Sequence, residues 1–262
     1  MIQRRIDTLR NSTWPRDLAG AWIFYTVLPL FPWLKPRFER IARFAPLIGI
    51  FIGLIQGSLW LLLSQLGWPN EALALLVIGV GIWITGGLHL DGLIDTADGL
   101  AAGNDRCLEA MKDSRVGASG VQALTIVLLI QIAALIKLNT LAPLAILIAS
   151  FWGRCAPLWA IEKFPYIKEN EATSFHQLHW KSWKELKPSV IALIIILFIL
   201  KVSAISWERA LPLNICILIG ILPAFIIPEL LGRKLGGHCG DSYGASLVLT
   251  ETFILMILSL VL

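Results

Sequence analysis

The stretch GGLHLDGLIDTADGL, residues 86–100, places three aspartates in one of the most apolar parts of the chain. Asp91, Asp95 and Asp98 are spaced i, i+4, i+7, so on a helix their carboxylates share one face. Three carboxylates this close would repel one another and raise one another's pKa. A bound divalent cation removes that repulsion. Oxygen ligands suit Mg²⁺ or Mn²⁺ rather than zinc. We therefore predict a site for one of these cations here, with a solvated helix end as the alternative.

Residues 104–120 continue this stretch with charges of alternating sign at Lys112, Asp113 and Arg115. Such a cluster beside a metal suits a phosphorylated substrate, because Lys and Arg neutralise the phosphate oxygens that the metal does not reach. An ordinary basic loop would explain Lys112 and Arg115 but not Asp113.

A second acidic motif is LGGHCGDSYGASLVLTE, residues 235–251. The glycines around Asp241 predict a tight turn whose backbone N–H groups bind an anion, with Gly237 and Gly240 as the candidate positions. A simple connector is the alternative.

Three further polar residues lie within apolar runs. Glu251 and Arg154 each require a partner at membrane depth, although Arg154 could also extend to the membrane surface. His89 is either a general base, since its ordinary pKa is near neutrality, or a hydrogen-bond donor to a neighbouring group.

The composition indicates a membrane protein. Of 262 residues, 56% are hydrophobic and 15% charged, whereas about 25% are charged in soluble domains. The continuous Leu- and Ile-rich runs exclude the alternating pattern of a β-barrel. We predict an all-α polytopic transmembrane bundle of about seven spans, forming a single integral membrane domain over residues 1–262. The predicted spans are 44–66, 72–90, 116–136, 141–160, 188–206, 211–231 and 244–262.

Charge sets the predicted orientation. Alternate loops hold fourteen Lys and Arg residues against two in the intervening loops, so the loops at 91–115, 161–187 and 232–243 are expected to face the cytoplasm. The net charge of +4 fits such loops at a lipid bilayer better than nucleic-acid binding. The run 18–34 has basic residues at both ends and two prolines, which favour a re-entrant or interfacial segment. An eighth span is the alternative.

These features together predict a cytoplasm-facing, metal-dependent site for phosphate chemistry. The D-x3-D-x2-D spacing is similar to that of membrane alcohol phosphotransferases, but their D-G-x2-A-R run is absent after Asp91. A cation transporter is the second alternative, and the lack of a repeated acidic pattern counts against it. The four scattered cysteines form no CxxC pair, so neither a zinc site nor a disulfide framework is expected.

The motifs GGLHLDGLIDTADGL…EAMKDSRVGASG and GGHCGDSYGA, with FYTVLPL and APLIGIFIGLIQG nearer the N-terminus, closely resemble the cobalamin synthase family of adenosylcobinamide-GDP ribazoletransferases. The similarity covers nearly the whole chain. It implies a Mg²⁺-dependent enzyme of the bacterial inner membrane, in which a ribose hydroxyl of α-ribazole or its 5'-phosphate attacks adenosylcobinamide-GDP and GMP leaves. The sequence leaves oligomer formation open.

The resemblance also implies roles for individual residues. Asp113 and Asp241 would complete the metal site or act as general base, and Lys112 and Arg115 would stabilise phosphate charge. The candidate substrate-binding residues are Arg154, Lys168, Gly237, Gly240 and Glu251.

Three positions depart from the family's pattern. Cys239 replaces a threonine, Val248 replaces one of two acidic residues in the last span, and Lys168 replaces an arginine. Lys168 can neutralise a phosphate, but not through a bidentate contact.

Overall fold

The computed structural model describes residues 13–30, 33–168, 175–202 and 218–262. These ranges contain helices and one isolated β-bridge, between Tyr166 and His238, so the all-α prediction is confirmed for them. The helices are α1 Thr13–Tyr25, α2 Ala45–Gln65, α3 Asn70–Thr85, α4 Leu88–Ala101, α5 Cys107–Ala110, α6 Ala118–Leu138, α7 Ala142–Lys163, α8 Phe175–Leu178, α9 Lys187–Val202, α10 Ile221–Leu235 and α11 Gly240–Val261.

Three helical stretches are long and apolar enough to cross a membrane: residues 42–65, 118–163 and 240–261. A fourth exists if the bent pair of α3 and α4 is one span. The stretches coincide with predicted spans 44–66, 116–136, 141–160 and 244–262, whereas the total of seven is not confirmed. Parts of the predicted spans 188–206 and 211–231 lie outside the described residues.

The stretch 118–163 contains two helices that run in opposite directions. Gln131 of α6 donates to Thr252, and Lys137 donates to the Ser259 carbonyl, so α6 is parallel to α11. Arg154 of α7 pairs with Glu251, while Leu158, one turn later, packs in a cluster with Tyr243 near the start of α11. The chain therefore reverses at Asn139–Leu141, where Asn139 has a φ of 51°.

Helices α2 and α7 form a close contact through small residues. Gly49, Gly53 and Gly57 face Ser150, Leu147 and Pro143 of α7, and a Cβ at Gly49 would lie 2.2 Å from the Ser150 carbonyl oxygen. Small residues spaced by four allow helix backbones to approach closely in membranes. This contact holds Arg154 of α7 at the centre of the bundle, where it is 2% exposed.

The chain bends by 92° between α3 and α4. Gly86 and Gly87 have φ values of 62° and 73°, a left-handed conformation that glycine adopts readily. The predicted span 72–90 therefore ends early, at Thr85, and α4 begins in a new direction at Leu88, before the predicted loop 91–115. Helix α4 carries the three aspartates.

The segment predicted at 18–34 is a short helix followed by irregular chain. Helix α1 starts earlier, at Thr13, and ends at Tyr25 after 13 residues, fewer than the roughly 20 that cross a bilayer. Its buried Asp17 pairs with Arg37 at 3.1 Å and Arg43 at 2.7 Å. These pairs hold α1 against the chain that leads into α2.

Candidate active site

Helix α4 brings its carboxylates to the N-terminus of α11. The close approach requires Gly92, where a Cβ would lie 2.5 Å from the Asp241 carbonyl oxygen. Asp91 is exposed, and Asp95 and Asp98 are partly buried. The structure thus unites the first acidic motif with Asp241 of the second.

Asp95 lies in a negatively charged environment beyond the end of the predicted span 72–90. Burial raises the pKa of this carboxyl group to about 6, and the charges of Asp91 and Asp241 add to the increase. Lys168 lowers the pKa, whereas Asp98 raises it slightly. A carboxyl group that resists ionisation in this way lies where positive charge is lacking, and a divalent cation would supply that charge.

Asp98 has a structural contact that the sequence did not predict. Its two oxygens accept hydrogen bonds from the backbone N–H groups of Gly117 and Gly120, at 2.7 and 2.8 Å. These groups lie at the start of α6, where the N–H groups lack partners within the helix. Asp98 therefore fastens the N-terminus of α6 to α4.

The predicted metal ligands do not form a complete, preformed metal-binding site. Within the described ranges, no three His, Cys, Asp or Glu side chains stand close enough together to hold a metal ion. Asp98 is engaged by backbone N–H groups, and Asp241 is engaged by Lys168. Mg²⁺ is commonly held by one or two carboxylates together with water and substrate phosphates. Asp91 and Asp95 fit that smaller ligand set, and the metal itself stays a prediction.

Lys168 connects the loop after α7 to Asp241. Its Nζ donates to Asp241 Oδ2 at 2.6 Å and to the Met111 carbonyl at 3.4 Å. The loop is fixed by the bridge in which Ile167 N donates to the His238 carbonyl and His238 N donates to the Pro165 carbonyl, each at 2.9 Å.

The two glycines predicted to bind an anion have different surroundings. Gly237 packs against the loop, because a Cβ there would lie 2.5 Å from the Pro165 carbonyl oxygen. Tight packing accounts for this glycine without an anion. Gly240 is the first residue of α11 and lines a cleft beside Asp241.

Asp113 and Arg115 pair with each other at the surface. Arg115 Nη2 lies 2.6 Å from Asp113 Oδ2, with the arginine side chain 87% exposed. Hydrogen bonds from Arg115 lower the pKa of Asp113 to about 2, which makes this carboxylate a poor proton acceptor at neutral pH. Lys112 is exposed on the same loop. These three side chains do not line the cleft between α1, α4, α7 and α11.

A cleft of about 740 Å³, its open mouth included, lies between α1, α4, α7 and α11. Asp91, Asp241 and Gly240 lie at its polar end, and aromatic and aliphatic side chains form its walls. His89 is buried in the cleft wall, with its ring stacked on Tyr25 at a centroid distance of 6.1 Å.

Arg154 and Glu251 meet in the interior of the bundle. Arg154 Nη1 lies 2.8 Å from Glu251 Oε1 and 3.0 Å from the Ser150 carbonyl. The partner that each charge was expected to need is therefore the other residue. Arg154 and His89 also line a second cavity of about 700 Å³, its open part included, so they form part of the wall between the two spaces.

Sequence reasoning missed Tyr243 and His238, which complete the site. Tyr243 lines the cleft, and its ring stacks on His238 at 5.5 Å. His238 Nε2 donates to the Pro228 carbonyl at 2.9 Å, while Nδ1 contacts Ser242 Oγ at 3.0 Å. Both residues stand within the GGHCGDSYGA motif, two and three positions from Asp241, and that proximity was the available signal.

The fold and the site define a helical protein of membrane type with an acidic site at the mouth of an apolar cleft. The chain belongs to the family described as cobalamin-5-phosphate synthase, whose model matches residues 17–259. This membership decides against the phospholipid-type enzyme and the cation transporter.

Curated relatives match along almost the whole chain. Proteins named adenosylcobinamide-GDP ribazoletransferase from Prochlorococcus marinus strains MIT 9303 and SARG are 59% and 55% identical, each over 97% of this chain and 99% of the relative. The protein of that name from Trichormus variabilis is 36% identical over 93% of this chain and 96% of its own. No solved structure matches the chain.

Proposed function

We propose that this chain transfers α-ribazole, or its 5'-phosphate, to adenosylcobinamide-GDP and releases GMP. The observation that carries the proposal is the similarity, over 97% of the chain, to relatives named adenosylcobinamide-GDP ribazoletransferase. The site supports it independently, because clustered carboxylates beside an apolar cleft suit the joining of a diphosphate to an organic acceptor.

The reaction exchanges a phosphoanhydride bond for a phosphodiester bond at the same phosphorus. A ribose hydroxyl oxygen of the acceptor forms a bond to the cobinamide-side phosphorus, and the bond from that phosphorus to the bridging oxygen breaks. GMP leaves with the bonding electrons, and the hydroxyl proton passes to a carboxylate. In-line displacements of this kind depend mainly on positioning and on stabilising charge.

Asp241 is the proposed proton acceptor. It lines the cleft beside the acidic face of α4, and Lys168 holds its carboxylate at a fixed position. The other candidate, Asp113, is less suited because its pKa lies at about 2 and its side chain does not line the cleft. His89 lies deeper in the wall, where it orients Tyr25 and the substrate.

Asp91 and Asp95 are the proposed ligands of Mg²⁺, with Asp98 fixing the helix that carries them. When bound, Mg²⁺ would neutralise the diphosphate charge and that of the departing GMP. The chain's own contribution is a pair of carboxylates whose mutual repulsion favours a cation between them. Lys112 and Arg115 are proposed to neutralise the outer phosphate oxygens from the adjoining loop.

The proposed location is the bacterial inner membrane, with the cleft mouth at the cytoplasmic side. The basic loops support this orientation, because Lys and Arg are retained on the cytoplasmic side of membrane proteins. The acidic site lies among those loops, at the N-terminal ends of α6 and α11.

The test is GMP release by the purified full chain in lipid nanodiscs. With adenosylcobinamide-GDP and α-ribazole 5'-phosphate both present, we expect GMP and a cobalamin product in equal amounts. Omitting either substrate should abolish both signals. Folded protein that releases no GMP with either form of α-ribazole would refute the proposal.

A further inference from the structure

The segment 164–168 is hydrogen-bonded along both of its edges. The backbone of His238 holds one edge through the parallel bridge. The side-chain amide of Gln177 holds the other edge, because its Oε1 accepts from Tyr166 N and its Nε2 donates to the Phe164 carbonyl, each at 2.9 Å. Successive residues of an extended chain direct their backbone groups to opposite sides. The amide therefore occupies the position that the backbone of a third strand would take.

Gln177 lies on a short helix that is itself anchored. The preceding residue of α8, His176, is buried, and its ring stands nearly perpendicular to that of Phe24 in α1 at a centroid distance of 5.4 Å. Trp180, which follows α8, donates its indole N–H to Glu162 of α7. The amide is thus held from both sides, and it can fix the position of the segment that it contacts.

Lys168, at the end of this segment, depends on the position of its backbone. A lysine has a flexible four-carbon side chain with a single ammonium group, so it does not set its own geometry as the planar fork of an arginine does. The ammonium group lies 2.6 Å from Asp241 Oδ2. A backbone shift of about 1 Å would lengthen this contact beyond the range of a hydrogen bond. Tyr166, which Gln177 holds, is only two residues away.

We propose that Gln177 is a positioning residue for the reaction. Its amide holds the segment 164–168 so that Lys168 fixes the Asp241 carboxylate at the edge of the cleft. Gln177 does not line the cleft and acts through Lys168. The inference rests on the proposed function, in which Asp241 accepts the proton of the attacking hydroxyl.

The first test measures the accessibility of Lys168 without turnover. The full chain in lipid nanodiscs is treated with acetic anhydride, and mass spectrometry gives the rate of acetylation at each lysine. Gln177→Met keeps the length of the side chain and removes both hydrogen bonds, so the segment should open more often and Lys168 should react about tenfold faster. Lys137, which donates to the Ser259 carbonyl near the other end of α11, reports general unfolding and should react at the wild-type rate.

The second test determines whether Gln177 acts through Lys168. Gln177→Met should lower the rate of GMP release about fivefold, in kcat rather than in KM, because the groups that bind the substrates are retained. The same change made in Lys168→Met should lower the rate no further. Gln65→Met, at the exposed end of α2, is the matched control and should be neutral.

Three results would overturn the inference. The first is an unchanged acetylation rate of Lys168 in Gln177→Met, and the second is an increase of the same size at Lys137. The third is a loss of GMP release that is equally large in the Lys168→Met background. If the wild type releases no GMP, the proposed function fails, whereas the acetylation rates still decide whether Gln177 holds Lys168 in place.

Discussion

The ammonium group of Lys168 lies 2.6 Å from Oδ2 of Asp241, joining residues 73 positions apart. Lys168 is 5% exposed and the Asp241 side chain 26%. The pair fixes the proposed proton acceptor at the edge of the cleft. It also ties the loop after α7 to the start of α11.

Lys168→Met should leave the Asp241 carboxylate partly buried without its cation. We expect a loss of about 2 kcal/mol in the free energy of unfolding and at least a tenfold lower rate of GMP release. Chemical unfolding in detergent and the GMP assay measure the two effects. Lys168→Arg, which keeps the charge, should retain most activity, and the exposed Lys181→Met serves as a control. Full activity in Lys168→Met would contradict this role.

Asp98 is predicted to act on stability more than on metal binding. Asp98→Ala removes the acceptors of two backbone N–H groups at the start of α6, and we expect about 1–2 kcal/mol of destabilisation. Asp98→Asn keeps one acceptor oxygen and should lose less. Thermal unfolding of the metal-free protein measures both. Equal stability of Asp98→Ala and wild type would show that the contact has no anchoring role.

Gly92→Ala should separate α4 from α11. The new methyl group would lie 2.5 Å from the Asp241 carbonyl oxygen, and the helix backbone must shift to admit it, at about 1–3 kcal/mol. We expect lower stability and at least a tenfold loss of GMP release, because Asp95 and Asp241 move apart. Gly79→Ala is the control, since its methyl group would meet open space. That variant should be neutral or slightly more stable.

The effect of Mg²⁺ on stability should increase with pH. Burial and like charges raise the pKa of Asp95 from 3.8 to about 6, so the folded state retains the proton better than the unfolded chain. Ionisation of this group therefore removes stability as pH rises from about 4 to 6. A cation at the carboxylates offsets that loss, so Mg²⁺ should raise the Tm more at about pH 7.5 than at about pH 5. The pH dependence should diminish in Asp95→Asn, and an equal Tm increase at both pH values in wild type would contradict the assignment.

Sequence periodicity predicted the features that depend on residues close together in the chain, namely helix positions and helix faces. The apolar runs located α2, α6, α7 and α11, and the i, i+4, i+7 spacing placed the three aspartates on one helix. Because a charged side chain within an apolar segment has a high free energy, Arg154 and Glu251 were expected to need partners. Spacing could not show that Asp98 caps α6, because that contact depends on how two helices pack.

Contacts between segments that are distant in the chain could not be predicted from residue spacing either. Nothing in the spacing joins Lys168 to Asp241, and the Tyr243 hydroxyl stands out only once its burial without a partner is known. The early end of the span at Thr85 illustrates a further limit. Hydropathy runs on through Gly86 and Gly87, whereas their left-handed conformation changes the direction of the chain.

The carboxylates of α4 are proposed to hold Mg²⁺ at the cleft mouth for release of GMP. The most direct measurement is the rate of GMP release at saturating Mg²⁺ for Asp95→Asn, with the exposed Asp105→Asn as the matched control. We predict at least about a thousandfold loss in Asp95→Asn, wild-type rates in Asp105→Asn, and abolition of wild-type activity by EDTA. Wild-type rates in folded Asp95→Asn, or activity that persists in EDTA, would contradict the account.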